Sequence, residues 1–174
     1  MLRDKSLIPL SHQHQRALAL CVRIDRASPI PNADLGAWQT EIAQHFRQEI
    51  QIHFAAEEAV LFPKCRELAG LAPLVEELLN DHAALREWFA KAETGTMSAA
   101  ELSACAEKLS THIRKEERLL FEGTQELLSA GELAALGVKL AEALKDAIQA
   151  CAVPTAATKL RAKADSPPAD ADSE

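Results

Sequence analysis

Hydrophobic residues recur along most of this chain at intervals of three and four, the spacing of helices that bury one face. Five such segments follow one another, and the pattern predicts an all-α protein. The first four segments are long enough to form an antiparallel up-and-down four-helix bundle, because each rises about 1.5 Å per residue. The fifth carries a leucine seam ending at Ile148 and is expected to pack at one side or end of the bundle, over Phe62 and Phe121.

Proline, glycine and serine residues mark where these helices begin and end. A break at residues 28–32 separates the first two helices, and a turn at 94–96 separates the third from the fourth. Ser11 is predicted to cap the first helix, and the second is predicted to span residues 33–62 and to end at Pro63. A linker follows at 64–72, and Pro73 lies in the first turn of the third helix. Capping boxes at Ser98 and Ser129 are predicted to begin the fourth and fifth helices.

The composition supports the helical prediction and excludes several functions. Hydrophobic residues make up 48% of the 174, with six Gly and no Tyr, which favours helices over sheets. The net charge of −7 argues against a nucleic-acid partner, and no apolar run reaches the roughly 18 residues of a membrane span. We therefore expect a cytoplasmic domain at 1–152 without a membrane partner, followed by a disordered Ala/Pro/Asp-rich tail at 153–174.

The four cysteines form no Cys-x-x-Cys pair and lie far apart along the chain, at Cys21, Cys65, Cys105 and Cys151. In a cytoplasmic protein this spacing predicts reduced, buried thiols that pack as small hydrophobic side chains.

One motif occurs twice. His53-x-x-x-Glu57 is followed 59 residues later by His112-x-x-x-Glu116, and both copies continue with a second glutamate, Leu and Phe. In a helix, residues four apart share a face, so each pair is expected to point at one spot. An upstream histidine on a separate helix accompanies each copy, and the predicted cluster is His14, His53, Glu57, His82, His112 and Glu116.

The helical phase of neighbouring polar residues predicts which of them face this cluster. His14 shares its face with apolar residues whereas His12 shares its face with Arg and Gln, so His12 is expected to meet water. Glu49, one turn before His53, is either a partner of that ring or part of an ion pair, and the former is preferred. The three other polar neighbours, Glu58, Glu117 and Arg86, are expected to be solvated; Arg86 gating a small anion is the alternative.

Buried together, these histidines and glutamates favour a metal site. An unpaired buried carboxylate costs several kcal/mol, which a cation would offset. Imidazole and carboxylate ligands without cysteine favour iron or manganese, with zinc less likely. The repetition predicts two ions with an oxo or hydroxo bridge and the carboxylates between them, and it leaves positions open for an exogenous ligand.

At these residues the chain resembles the hemerythrin-like, or HHE cation-binding, domain family. The resemblance covers roughly residues 10–150 and rests on Leu10-Ser-His-Gln-His14, His53-Phe-Ala-Ala-Glu57-Glu58-Ala-Val-Leu-Phe-Pro63, Asp81-His82-Ala-Ala-Leu85 and His112-Ile-Arg-Lys-Glu116-Glu117. It implies a non-haem di-iron site in a four-helix bundle. The implied ligands are Glu57 and Glu116 as bridging carboxylates and His14, His53, His82 and His112 as terminal ligands.

Two positions depart from the family pattern. Oxygen-carrying members have a second histidine one turn after the third-helix histidine, where this chain has Arg86, which weakens the case for simple oxygen carriage. Water, His12 or an exogenous ligand are the alternatives there. Some relatives take the acid five residues after the fourth-helix histidine, which would be Glu117. Four steps rotate about 40° around a helix and five about 140°, so Glu116 is preferred.

Three functions compete on this evidence. The leading hypothesis is a metal-binding protein that takes up oxygen, nitric oxide or iron itself for sensing, storage or delivery. The alternative is a di-iron oxidoreductase acting on peroxide, oxygen or nitric oxide, and the third is a metal-free helical interaction module. A small diatomic or peroxide ligand at the metal is the expected partner, and the sequence identifies no protein partner.

Overall fold

The computed structural model describes residues 2–147, and within them the regular structure is helical throughout, which confirms the all-α prediction. Five helices follow one another in this part of the chain: α1 (Ile8–Ala27), α2 (residues 32–66), α3 (Ala72–Glu93), α4 (residues 99–127) and α5 (Ala130–Ala143). The predicted tail at 153–174 and the last seam position, Ile148, lie outside the described residues. None of the described helices combines the length and apolarity that a bilayer span requires.

Helix α1 begins earlier than predicted. Its cap is Leu7 rather than Ser11, and Ile8 and Pro9 occupy its first turn. Proline is tolerated there because the first N–H groups of a helix have no intrahelical partner. The backbone N–H of Ser11 already donates to the carbonyl of Leu7 at 3.1 Å, so Ser11 lies inside the helix.

Helix α2 contains two π-helical turns and passes through Pro63, so the prediction that Pro63 ends it was wrong. Its α-helical parts are Asn32–His45, Gln51–Ala56 and Phe62–Arg66, and its π-helical parts are Phe46–Ile50 and Glu57–Leu61. In the second π turn the N–H of Phe62 donates to the carbonyl of Glu57, five residues back. The wider turn places Pro63 at the start of the next α-helical part, where its missing N–H costs little. The linker is shortened accordingly, to residues 67–71.

Helix α4 repeats this construction, and its start is capped as predicted. Its parts are Ala99–Lys115 (α), Glu116–Leu120 (π) and Phe121–Leu127 (α). The side chain of Ser98 accepts from the backbone N–H of Glu101 at 3.2 Å, while the Glu101 carboxylate accepts from the N–H of Ser98 at 2.9 Å. Ser129 and Glu132 form the same box before α5. Each box pairs backbone donors that the helix itself leaves free.

Two hydrophobic clusters fill the interior, and along each of the first four helices the predicted ligands lie where one cluster gives way to the other. The first cluster includes Ile24, Phe54, Phe89 and Leu109, and the second includes Leu10, Phe62, Leu78 and Phe121. Helices α1 and α3 pass from the second cluster to the first, whereas α2 and α4 pass from the first to the second. The described leucines of α5 belong to the second cluster with Phe62 and Phe121, as predicted.

The described cysteines are buried and reduced, as predicted: Cys21, Cys65 and Cys105 are free thiols. Burial raises the pKa of Cys21 to about 12 and that of Cys65 to about 11, so both stay protonated at neutral pH. Cys151 lies outside the described residues.

Candidate metal centre

Six side chains from α1 to α4 meet in the interior between the two hydrophobic clusters. They are His14, His53, Glu57, His82, His112 and Glu116, and each is at most 4% exposed. The Nε2 atoms of His14 and His53 lie 2.9 Å apart, and those of His82 and His112 lie 3.1 Å apart. We call these the first and the second histidine pair. The structure thus brings together all six predicted residues and leaves His12 exposed on the outside of α1.

Glu57 has one carboxylate oxygen near each histidine pair. Its Oε1 lies 3.2 Å from Nε2 of His53, in the first pair, and its Oε2 lies 3.5 Å from Nε2 of His82, in the second pair. A carboxylate held in this way can offer one oxygen to each of two neighbouring cations.

Glu116 has the corresponding position on the opposite helix. Its Oε2 lies 3.2 Å from Nε2 of His14 and its Oε1 lies 3.2 Å from Nε2 of His112. Each histidine pair therefore forms, with the same two glutamates, a group of four ligand atoms within 4.8 Å of one another. Two groups that share both carboxylates are the arrangement expected of two adjacent cation positions.

Each of these glutamates is the first residue of a π-helical turn: Glu57 begins the turn at Glu57–Leu61, and Glu116 begins the turn at Glu116–Leu120. Such turns are rare and occur frequently at functional sites. In a π turn the backbone N–H bonds to the carbonyl five residues back, so one turn contains more residues than an α-helical turn. Consecutive side chains are therefore separated by a smaller angle around the helix axis than in an α-helix. The next residues, Glu58 and Glu117, are thereby kept close to the cluster.

The prediction that Glu58 and Glu117 are solvated was wrong, because both carboxylates bind histidines of the cluster. Oε1 of Glu117 accepts a hydrogen bond from Nδ1 of His14 at 2.7 Å, and Oε1 of Glu58 accepts one from Nδ1 of His82 at 2.8 Å. A hydrogen bond at Nδ1 fixes the ring and keeps Nε2 available as a ligand.

Surface arginines bind the same two carboxylates. Nη2 of Arg3 lies 2.6 Å from Glu117, and Nη1 of Arg86 lies 2.8 Å from Glu58. Arg86 is 40% exposed, and its guanidinium also lies over the ring of Phe54 at 5.4 Å. The contact with Glu58 was not predicted from the sequence, which favoured a solvated arginine.

Two residues that the sequence reasoning missed lie beside the other two histidines. The amide oxygen of Gln13 accepts from Nδ1 of His53 at 2.7 Å. Oδ2 of Asp81 lies 3.6 Å from Nδ1 of His112, beyond hydrogen-bond distance, and this buried carboxylate binds Lys108 and Lys115.

A signal for these residues was present in the repeat. Gln13 immediately precedes the upstream histidine of the first copy, and Asp81 immediately precedes that of the second. Likewise Glu58 and Glu117 each follow the glutamate of their copy. Equivalent positions in the two copies thus lie beside equivalent histidines, which a comparison in register would have revealed.

Glu49 does not bind a histidine of the cluster, so the preferred prediction for it was wrong. Its carboxylate accepts from Nε of Arg16 at 2.6 Å, the ion pair that was the alternative. Arg16 is half-exposed and draws the carboxylate away from the His53 ring, whose Nδ1 is bound to Gln13 instead.

Burial and neighbouring charges shift the pKa values within the cluster in opposite directions. Burial, reinforced by the charge of Glu116, raises the pKa of Glu57 to about 7. Burial opposes protonation of His14 and His112, but adjacent carboxylates outweigh it and raise their pKa values to about 9 and about 10. Burial and the nearby His14 lower the pKa of His53 well below its ordinary value. Two protonated imidazoles therefore supply positive charge that a bound cation would otherwise supply.

Protons do not complete the site, because both oxygens of Glu57 and both of Glu116 are buried without a hydrogen-bond partner. Buried carboxylate oxygens are rarely left in this state, because the loss of hydration is uncompensated. The cluster directs four imidazole nitrogens and four carboxylate oxygens at a common space. These atoms fit cations that prefer nitrogen and oxygen ligands.

The fold and the site together define a helical protein with a buried histidine and carboxylate cluster suited to cations. The chain belongs to the hemerythrin HHE cation-binding domain family, whose model matches residues 9–122. This match confirms the resemblance read from the sequence and spans all six residues of the cluster. A search among curated proteins and a search among solved structures each gave no significant match.

Proposed function

We propose that this protein holds a non-haem di-iron site and binds oxygen, nitric oxide or iron itself in a sensing, storage or delivery role. The observation that carries the proposal is the placement of Glu57 and Glu116. Each carboxylate has one oxygen near each histidine pair and no hydrogen-bond donor. Oxygens in that position are suited to bridging two cations.

The ligand assignment follows from the distances. In this proposal the first histidine pair holds one ion, the second pair holds the other, and the two glutamates are shared. Imidazole and carboxylate donors favour iron over zinc, and no cysteine belongs to the cluster within the described residues. When bound, iron would supply a change of oxidation state and open positions for a small ligand.

The surrounding residues of the chain orient the rings and keep water away. Phe54 stacks on His82 with ring centroids 3.6 Å apart, and Phe62 lies against the same ring at 5.3 Å. Phe121 stacks on His14 at 5.5 Å. A dry surrounding strengthens the electrostatic interactions of a bound cation and limits access to small molecules.

We also infer that α1 to α4 form an antiparallel up-and-down bundle around this site. The order in which the helices pass the two hydrophobic clusters alternates from one helix to the next, which supports this arrangement. Bundles of this kind place ligands from facing helices in their core.

Metal analysis of protein produced with added iron tests the proposal directly. We expect about two iron ions per chain and a near-ultraviolet absorption that bleaches on anaerobic reduction. His53→Ala and Glu57→Ala should each lower the iron content far more than His12→Ala, which removes an exposed histidine from the same bundle. Equal losses in all three variants, or no iron in the wild type, would refute the ligand assignment.

Recovery of the spectrum in air separates binding from catalysis. Reversible cycles of bleaching and recovery would support a carrier or sensor. Sustained consumption of peroxide or nitric oxide would instead support the oxidoreductase.

A further inference from the structure

Arg3 contacts two of the side chains that hold the imidazole of His14. Its Nη2 donates to Oε2 of Glu117 at 2.6 Å and to the backbone carbonyl of Glu117 at 2.7 Å. The other carboxylate oxygen of Glu117 accepts from Nδ1 of His14. The guanidinium of Arg3 also lies 5.0 Å from the ring centre of Phe121, which stacks on the His14 ring. Arg3 therefore acts on this imidazole both at its edge and at its face.

Arg86 makes the same two contacts beside His82. Its Nη1 lies 2.8 Å from Oε1 of Glu58, the oxygen that accepts from Nδ1 of His82. Its guanidinium lies 5.4 Å from the ring centre of Phe54, which stacks on the His82 ring at 3.6 Å. One histidine of each pair is thus supported by a carboxylate and a phenylalanine that share an arginine.

The two arginines are not equivalent positions of the repeat. Arg3 precedes α1 and lies before the segment 9–122 that matches the family model, whereas Arg86 lies one turn after His82 on α3. Two unrelated positions of the chain therefore make the same pair of contacts. Descent of one copy from the other does not account for that, whereas a shared role at the two histidine pairs does.

The remaining histidine of each pair is held differently. Nδ1 of His53 binds the neutral amide oxygen of Gln13, and Nδ1 of His112 is buried without a hydrogen-bond partner in the described part of the chain. The contacts of Arg3 and Arg86 thus serve one imidazole at each pair.

The carboxylates of Glu117 and Glu58 need such a partner to stay in place. Their side chains are 24% and 30% exposed, so each can turn towards water and leave its histidine. A glutamate side chain also loses rotational freedom when it is held in one position. The planar, forked guanidinium of arginine fixes a carboxylate better than a single ammonium group does. With Arg3 bound at Oε2, Oε1 of Glu117 remains directed at His14.

We propose that Arg3 and Arg86 are positioning residues of the metal site, each of which raises the affinity for one iron ion by holding a carboxylate on a ligand histidine. Arg3 acts through Glu117 on the ion at the first histidine pair, and Arg86 acts through Glu58 on the ion at the second. The inference rests on the proposed function, since it concerns the affinity of the two ions.

The sign of the effect distinguishes positioning from simple charge. An arginine near a cation site repels the cation, so removing its charge alone would tighten iron binding. Removing an arginine that positions a supporting carboxylate would weaken binding instead, because the histidine is then less well oriented and a poorer donor.

Iron(II) affinity is measured without oxygen, by competition with a chromophoric chelator, for the wild type, Arg3→Met, Arg86→Met and the double variant. Methionine keeps an unbranched apolar stem against the phenylalanine. We expect each single variant to bind one of the two ions about three- to tenfold more weakly, and the double variant to bind both more weakly. This is less than the 10–100-fold typical of losing an outer partner itself, because the carboxylate remains.

The matched control is Arg47→Met. It removes the same charge and an exposed ion pair with Glu93, and it should leave the affinity for both ions within about twofold of the wild type.

A double-mutant cycle tests whether Arg3 acts through Glu117. Glu117→Gln keeps an amide oxygen that can accept from Nδ1, as Gln13 does for His53. Adding Arg3→Met to Glu117→Gln should lower the affinity little further, because the group on which Arg3 acts is already gone. Losses that add in full would show that Arg3 acts by another route and would overturn the inference.

Thermal unfolding of the iron-free variants shows whether each one folds. If a methionine variant does not fold, Arg3→Lys or Arg86→Lys takes its place, since lysine keeps the charge and replaces the fork by one ammonium group. The lysine variants should still bind one ion more weakly than the wild type, and equal affinity would overturn the inference.

The outcomes separate the two proposals. Wild-type protein that binds no iron would refute the proposed function and the inference with it. Wild-type protein with two ions, together with arginine variants that bind iron as tightly or more tightly, would overturn the inference and leave the di-iron proposal standing.

Discussion

Replacing Glu57 by glutamine should make the metal-free protein more stable and the iron-loaded protein less stable. The substitution keeps the size of the side chain and removes a charge that is fully buried without a hydrogen-bond donor. The two effects have one cause, because the carboxylate that costs free energy in the absence of a cation is the group that binds one in the proposed site.

The magnitude follows from the pKa of Glu57, which burial and Glu116 raise from 4.5 to about 7. The unfolded chain ionises this group near its ordinary value, so keeping it charged in the folded protein at pH 8 costs about 3 kcal/mol. This pKa already includes the attraction of His82 and His14 for the carboxylate. The amide that replaces it is buried in the same place and also lacks hydrogen-bond partners, which leaves a gain of about 1–3 kcal/mol. The cost develops as the pH rises from 4.5 to 7, so the gain should be small at pH 5 and complete at pH 8.

Urea unfolding with a chelator present, at pH 5 and at pH 8, measures this effect. Glu87→Gln is the matched control, because Glu87 is exposed on α3 and its substitution should leave the unfolding free energy unchanged within about 0.5 kcal/mol. Iron at 100 times its dissociation constant should add about 2.7 kcal/mol to the wild type for each ion bound, and less to Glu57→Gln. A variant that is less stable than the wild type at pH 8, or one whose gain is equal at both pH values, would refute the reasoning.

Two further predictions concern protons and packing. Iron uptake at pH 7 should release between two and three protons. His14 and His112, with pKa values raised to about 9 and about 10, must each lose one to bind a metal, and Glu57, with its pKa raised to about 7, loses about half of one more. Affinity should therefore fall as the pH falls, and titration calorimetry in buffers of different ionisation enthalpy would contradict this if it found no proton release. Gly137→Ala should lower the unfolding free energy by about 1 kcal/mol or more, because its Cβ would lie 2.7 Å from the Cβ of Ser6 and 3.0 Å from its Cα. The Cβ of Gly36→Ala meets nothing within 4 Å, so this control should instead raise the unfolding free energy by about 0.5–1 kcal/mol. If thermal unfolding showed Gly36→Ala to be destabilised as much as Gly137→Ala, packing against Ser6 would not be the cause.

The helices could be predicted because their apolar periodicity and capping boxes are local properties of the sequence. The boxes at Ser98 and Ser129 are examples, since each is complete within four residues. The end of α2 could not be predicted in the same way. Pro63 ends a regular helix, but the π turn before it changes the hydrogen-bond register and lets the helix continue. A π turn has no propensity signal as clear as proline.

The cluster itself followed from the spacing of the motif, whereas its supporting contacts did not. Helical phase assigned Glu58 and Glu117 to solvent because it assumed regular α-helical rotation on both sides of the motif. The π turns that begin at Glu57 and Glu116 alter that rotation. Contacts between helices, such as Gln13 with His53, depend on packing that a single helix does not encode.

The repeat breaks at one of these supporting positions. Asp81, before the upstream histidine of the second copy, is a carboxylate bound by Lys108 and Lys115, whereas the first copy has the neutral Gln13 in that position. A carboxylate partner raises the donor strength of an imidazole more than an amide does. His53 is therefore a weaker donor on this criterion than His14 and His82, whose Nδ1 atoms are bound by carboxylates. In the proposed site each ion would thus have one imidazole supported by a carboxylate hydrogen bond and one that is not, namely His53 at the first pair and His112 at the second.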